Sequence, residues 1–231
     1  MAAPLTRDDL QTPSGRRRAW RALMISDHGL LRKLYDNTHV LKPGKMWRTY
    51  QPAPKDLAGW AARGVKTVIN LRGDKPSGQL LLEEEACARL GLTLINFRAY
   101  SREAPSKEIL HGARKLFAEI AYPAIMHCKS GADRAGLMST LYLFFQEGVS
   151  VDKALDQLTF KYGHVKAGKT GVIDAVFERY MTYAEEKNLS LSSVEDFFHW
   201  VDTAYDPAEV KASFQPKSWG NFLTDVILRR E

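Results

Sequence analysis

The chain has 231 residues, a formal net charge of +6, 45% hydrophobic and 26% charged residues. That length suits one domain with decorated ends rather than two full domains, and the composition excludes a chain disordered throughout. A pI near 9.2 points to anionic partners without choosing among phosphoprotein, lipid headgroup and nucleic acid. The two cysteines exclude a disulfide scaffold and suit a reducing compartment; no Cys/His spacing suits zinc, so neither metal nor cofactor is expected.

Residues 1–45 read as a basic N-terminal arm. The stretch from Arg16 to Arg48 holds nine Lys/Arg against two Asp, while the remainder is close to neutral. MAAPLTRDDLQTPSGRRR lacks the apolar run of a signal peptide, and no stretch reaches transmembrane length. The expected setting is cytoplasmic, with peripheral contact at the inner membrane face open to it. Residues 1–15 read as flexible and 18–36 as helical. Trp20, Leu23, Met24, Leu30, Leu31 and Leu34 interleave with the charge, as in an interfacial helix on anionic lipid. A helix packed on the domain with a solvated basic face has the same pattern.

Residues 46–190 form the expected body. Pro43-Gly44 turns into a short strand at 46–49, and a helix follows over 55–63. VKTVIN (65–70) reads as a strand, 79–90 as a helix closed by Gly91, and 92–97 as a second strand. A helix over 106–121 with Ser106 as cap leads to the apolar run 124–126, a strand buried on both faces. Helices follow at 134–147, 151–161 and 171–187. Residues 191–231 read as a C-terminal helical extension on the same domain, with helices at 193–201 and 217–230. Strands joined by helices, then a helical tail, give an α/β fold of three layers.

HCKSGADR (127–134) places a cysteine at the end of a buried strand and an arginine at the start of a helix. Small residues between them let the backbone curl round an anion, and Gly131 can take a conformation closed to other residues. Backbone N–H groups at a helix N-terminus bind a tetrahedral oxyanion and stabilise a thiolate. The candidate phosphate-binding set is Lys129, Ser130, Gly131, Ala132, Asp133 and Arg134, with Arg134 offering a fork to two oxygens. His127 supports the loop from behind.

This loop resembles the signature of the protein tyrosine and dual-specificity phosphatase superfamily: His-Cys, five residues, then Arg. WRTYQP (47–52), TVINLRGD (67–74) and KYGHVKAGKTG (161–171) are similar to segments of its compact, atypical bacterial branch. The resemblance implies a catalytic domain over 46–190 and a central sheet flanked by helices. It also implies that Cys128 attacks phosphorus, Arg134 binds phosphate and water clears a phosphocysteine. Phosphotyrosine proteins would be substrates, with a phosphoinositide or other lipid phosphate as the alternative. Two departures stand out. Ala135 occupies the place where many members carry a Ser or Thr that assists the sulfur's departure, although Ser130 offers partial compensation. Residues 96–106 hold no Asp for the usual general acid, only Glu103. Asp133, inside the loop, is the favoured acid and Glu103 the fallback.

Arg98, Arg102, Lys161, His164, Lys166 and Lys169 are candidates for a substrate rim. Asp74 is expected to pair with Arg72, which braces the core. Cys87 reads as a buried, inert thiol rather than a redox partner of Cys128. A catalytically weak phosphate-recognition module is a second class of reading, suggested by Ala135. Rhodanese-like sulfur transfer leaves Arg134 unexplained, arsenate reduction lacks resolving cysteines, and no recognition helix supports nucleic-acid binding. The partner expected is a phosphorylated protein or an anionic phospholipid.

Overall fold

In the computed structural model, which describes residues 5–27, 29 and 36–216, five short strands carry the apolar runs. They are β1 (His39–Lys42), β2 (Met46–Tyr50), β3 (Thr67–Asn70), β4 (Thr93–Asn96) and β5 (Ala124–Cys128). They form one sheet in the order β1-β2-β5-β3-β4, antiparallel only between β1 and β2. Every residue of β5 is buried, as expected of a central parallel strand. Register pairs Thr49 with His127 and Tyr50 with Cys128, so β2 and β5 end together where the 127–134 loop begins. The fold is three-layer α/β, a central mixed sheet flanked by helices.

The chain divides into two compact units, Met1–Arg98 with Ala121–Gly131, and Ala99–Ile120 with Ala132–Glu231. The first holds the sheet and the helices α1 (Pro13–Arg21), α2 (Pro54–Ala62) and α3 (Gly78–Leu90). Leu57 and Trp60 of α2, Ala86 and Cys87 of α3, and Val68 and Ile125 of the sheet share one apolar cluster. Ser77 caps α3 by accepting from the Leu80 N–H, and Gly91 ends it in the left-handed region.

Residues 8–15 differ from the flexible reading, while the helix read from 18 onward is present through Arg21. Asp8–Gln11 is a 3-10 turn, Thr12 caps α1 with Pro13 in its first turn, and Ala22–Ser26 continues as a π-helical turn. Leu10, Ala19 and Leu23 are buried with Leu81 and Leu82 of α3, and Trp20 and Met24 pack around them. Gly78 permits this approach, since a Cβ there would lie 2.8 Å from the Ala19 Cα. The expected helical stretch over 28 and 30–35, and the segment 217–230, lie outside the described residues.

The second unit holds α4 (Lys107–Glu119), α5 (Asp133–Glu147), α6 (Val151–Ala154), α7 (Val172–Glu186), α8 (Val194–Thr203) and α9 (Pro207–Ser213). The helix expected over 151–161 breaks after Ala154 into 3-10 turns at Leu155–Gln157 and Phe160–Tyr162. α9 is an additional helix, capped by Asp206, with Pro207 in its first turn. α5 is buried nearly all round, and Ser139 and Thr140 satisfy their hydroxyls on the carbonyls of Ala135 and Gly136. An aromatic core fills this unit: Phe197 meets Phe144 and Tyr180 edge-on at 5.4 and 5.0 Å between centroids. Phe197 is fully buried. Replacing it with alanine is expected to cost about 3–5 kcal/mol in urea unfolding, and a loss under about 1 kcal/mol would deny it a central packing role.

Candidate active site

The loop after β5 leaves the sheet with Cys128 buried, turns at Gly131 with φ +74°, and becomes α5 at Asp133. Three successive carbonyls of this loop are held from β2 and its flanks. The Gln51 N–H donates to the Lys129 carbonyl at 3.3 Å, and Asn37 Nδ2 to that of Ser130 at 2.9 Å. Arg48 Nη2 donates to the Gly131 carbonyl at 2.7 Å, from a side chain with no exposure at all. Carbonyls turned toward those donors leave the opposite ends of the same peptides, the N–H groups, for an anion. A Cβ on Gly131 would come within 3.0 Å of the Thr49 backbone, so conformation and space both require glycine.

Behind Cys128 runs a buried polar chain. His127 Nε2 lies 2.6 Å from Glu83 Oε1, a close contact off the line of a hydrogen bond. Gln51 Nε2 donates to Glu83 Oε2 at 3.1 Å, and Arg72 Nη1 donates to Gln51 Oε1 at 2.9 Å. The Arg72 guanidinium also grips Asp27 bidentately at 2.7 and 2.9 Å. Arg72 therefore braces the interior as expected, but its acid is Asp27; Asp74 is exposed. The chain ties the end of the N-terminal helical segment to the residue preceding Cys128.

On the α5 side, Asp133 is buried and Arg134 half-buried in the first turn. Ala132, the residue before the helix, offers no side-chain cap to its N–H groups. Asp133 Oδ1 lies 2.7 Å from His164 Nδ1, and Asp174 Oδ2 lies 2.6 Å from His164 Nε2. Burial pushes the His164 imidazolium down, but hydrogen bonds and charge from Asp133 and Asp174 outweigh it and raise it to about 9.

The candidate rim residues differ in their surroundings. His164 is buried rather than at a rim, and Lys166 is engaged by Glu178. Lys161, Lys169 and Arg98 are exposed, and Arg102 is partly buried. The fallback acid Glu103 is held by Lys211. Cys87 is buried as expected, and burial, aided by the Glu83 charge, pushes its thiol up to about 12. Sequence reading missed Asn37, Arg48, Gln51, Glu83 and Asp174. Only Arg48 left a signal, a cation standing at a core-facing position of a short strand.

Residues 32–175 match a family described as a DSP-PTPase phosphatase fused to NAD+ kinase. The chain belongs to this family. The match covers more than half of the sequence and includes the whole loop. No curated protein matches the chain. Among solved structures, it is similar to Tk-PTP in its active form, with 21% identity, 53% of this chain and 82% of that one covered, and a TM-score of 0.44. P. aeruginosa TpbA is similar at 19% identity, over 77% of this chain and 90% of its own, with a TM-score of 0.47. In this DSP-PTPase relative, the loop is the natural place to test the geometry.

Arg48→Met removes the donor to the Gly131 carbonyl while keeping an unbranched apolar stem. It is expected to cost about 2 kcal/mol of stability and to weaken inorganic phosphate binding; unchanged phosphate affinity would deny Arg48 its hold on the loop. A second expectation follows from His164. A raised histidine contributes fully below its ordinary value of 6.5 and loses that contribution as pH rises through about 9. The urea midpoint should therefore fall across that window, and fall less in His164→Gln; parallel profiles would refute the assignment.

Proposed function

We propose that the chain is a metal-independent phosphatase that hydrolyses phosphate monoesters, phosphotyrosine in proteins foremost, through a phosphocysteine on Cys128. The observation that carries this reading is the loop itself. Its carbonyls at 129–131 are tied back by Gln51, Asn37 and Arg48, between a thiol at one end and Arg134 on a helix N-terminus at the other.

In this reading the Cys128 sulfur attacks phosphorus as the bond to the leaving oxygen breaks. Loop N–H groups from Lys129 to Asp133 and the Arg134 fork hold the non-bridging oxygens. Asp133 protonates the leaving oxygen, its protonated form favoured by the charge of bound phosphate. Water then attacks phosphorus, breaking the P–S bond and releasing phosphate. Glu103 is left out because Lys211 occupies it at the surface. His127 acts from behind through the Glu83 contact.

Ala135 is fully buried and brings no hydroxyl to the sulfur, and the Ser139 hydroxyl is bonded to the Ala135 carbonyl. Breakdown of the phosphocysteine is accordingly the slow step. The lipid-phosphate alternative loses ground at the N-terminal segment, where Ala19 and Leu23 are buried with Trp20 and Met24 packed around them. Arg16 is also gripped by Glu85 at 2.6 and 2.9 Å. Among the described residues no helix is long and apolar enough to cross a membrane.

Rapid mixing with p-nitrophenyl phosphate, without metal, tests the reading. Wild type is expected to show a burst of nitrophenol followed by slower turnover, and Cys128→Ser neither. Substantial hydrolysis by that variant would refute covalent catalysis, and phosphate binding without any hydrolysis by wild type would favour the recognition module. Ala135→Ser should raise steady-state turnover by roughly tenfold or more and shrink the burst; unchanged turnover would place the slow step elsewhere.

A further inference from the structure

His164 sits buried between two carboxylates, its Nδ1 2.7 Å from Asp133 and its Nε2 2.6 Å from Asp174. Each of those contacts needs one proton between nitrogen and oxygen. Two arrangements satisfy both: an imidazolium between two carboxylates, or a neutral ring beside one protonated aspartic acid. They contain the same protons and the same net charge, and differ only in where one proton lies along a hydrogen bond. The Asp133 contact thus offers a place to keep a proton next to Arg134 without an extra charge.

The geometry points to His164 as a positioning residue that stores the proton Asp133 delivers, with Asp174 fixing the ring. This rests on the phosphocysteine reading above. At rest the proton is on His164 Nδ1. A phosphate dianion in the loop draws it across to Asp133, breaking N–H and forming O–H. As the P–S bond forms and the ester P–O bond breaks, the proton passes from Asp133 to the leaving oxygen. His164 is then neutral, its Nε2–H still donating to Asp174 Oδ2. When water attacks the phosphocysteine, its proton goes to Asp133 and back to Nδ1, so the cycle closes without another reactant.

Among the described residues, the charges that act on the ring come from Asp133 and Asp174. Asp133 comes from the start of α5 and Asp174 from the first turn of α7. Lys166 and Glu178 pair with each other and share a cavity with His164. That pairing raises Lys166 further above neutrality, so it stays charged through the range in which the ring titrates.

The test uses the full chain and two substrates, p-nitrophenyl phosphate with a good leaving group and phenyl phosphate with a poor one. Activity is followed from about pH 5.5 to about pH 10 for wild type, His164→Gln and Asp174→Asn. Wild type is expected to lose activity on an alkaline limb that is absent in His164→Gln. In that variant phenyl phosphate should fall by at least roughly tenfold more than p-nitrophenyl phosphate. Asp174→Asn, which keeps the ring but removes a charge, should move the limb to lower pH. Equal losses on both substrates with an unmoved limb would reduce His164 to a structural residue and overturn the inference. If circular dichroism shows His164→Gln unfolded, Asp174→Asn decides on the same readouts, and an unmoved limb again overturns it. A Cys128-dependent burst in wild type with no change in either variant defeats this inference alone. Loss of the burst's dependence on Cys128 defeats the underlying reading.

Discussion

A backbone can present several N–H groups to one anion only if the carbonyls of the same peptides are accepted elsewhere. Between Cys128 and α5 that condition is met three times in succession, by the Gln51 N–H, Asn37 Nδ2 and Arg48 Nη2. All three donors stand on β2 or beside it, and β2 runs in parallel register with β5 up to Cys128. The sheet therefore sets both walls of the turn: β5 delivers the thiol, and β2 delivers the donors that rotate the peptides behind it. Gly131 completes the turn where φ is positive and the Thr49 backbone leaves no room for a side chain. Arg48 is an expensive way to hold one carbonyl, since its charge has no access to water. What it holds is one loop conformation, through the Gly131 carbonyl.

The same economy governs the polar chain from Asp27 through Arg72, Gln51 and Glu83 to His127. Gln51 is its hinge. The backbone N–H holds the loop, while the side chain receives Arg72 and donates to Glu83. A buried amide with both ends occupied admits one orientation, so the loop, β2 and α3 are fixed together. Asp27 brings the N-terminal helical segment into that arrangement, which explains why a segment so rich in arginine is packed rather than free. Its positive charge meets Glu84 and Glu85 on the acidic surface of α3.

The layout of the core was legible in the sequence because its signals are local. Gly91 and Ser106 mark helix ends where the sequence pattern places them, and the apolar run before Cys128 reads as a buried strand. β1 escaped because His39–Lys42 buries no face; Val40 is 56% exposed, so no hydrophobic phase marks it. The helix expected over 151–161 failed for the opposite reason. Its apolar residues fit a helical period, yet Thr159 and Gly163 take extended and left-handed conformations. The loop was legible as a site because thiol, glycine and arginine lie within seven consecutive residues, Cys128 to Arg134. Its supports were not: Asn37 is 93 residues from Ser130, and His164 is 31 from Asp133. Among lysines, a histidine in KYGHVK reads as surface until the fold shows two carboxylates on either side of it.

Those two carboxylates also explain why the residue there is a histidine. If the loop binds phosphate as proposed, an aspartate beside Arg134 opposes it unless its charge is cancelled. A lysine would cancel it permanently and bind Asp133 as a carboxylate, leaving nothing to deliver to a leaving oxygen. In the proposed mechanism an imidazole held at both nitrogens cancels the charge at rest and still gives up the Nδ1 proton, because the other stays on Nε2 against Asp174. Burial would make that exchange selective: with the His164 side chain fully buried, the route off Nδ1 that the geometry offers is Asp133. In the proposed mechanism the neutralising partner and the proton source are thus the same group, and the cost of placing an acid within the loop is offset by the group that loads it.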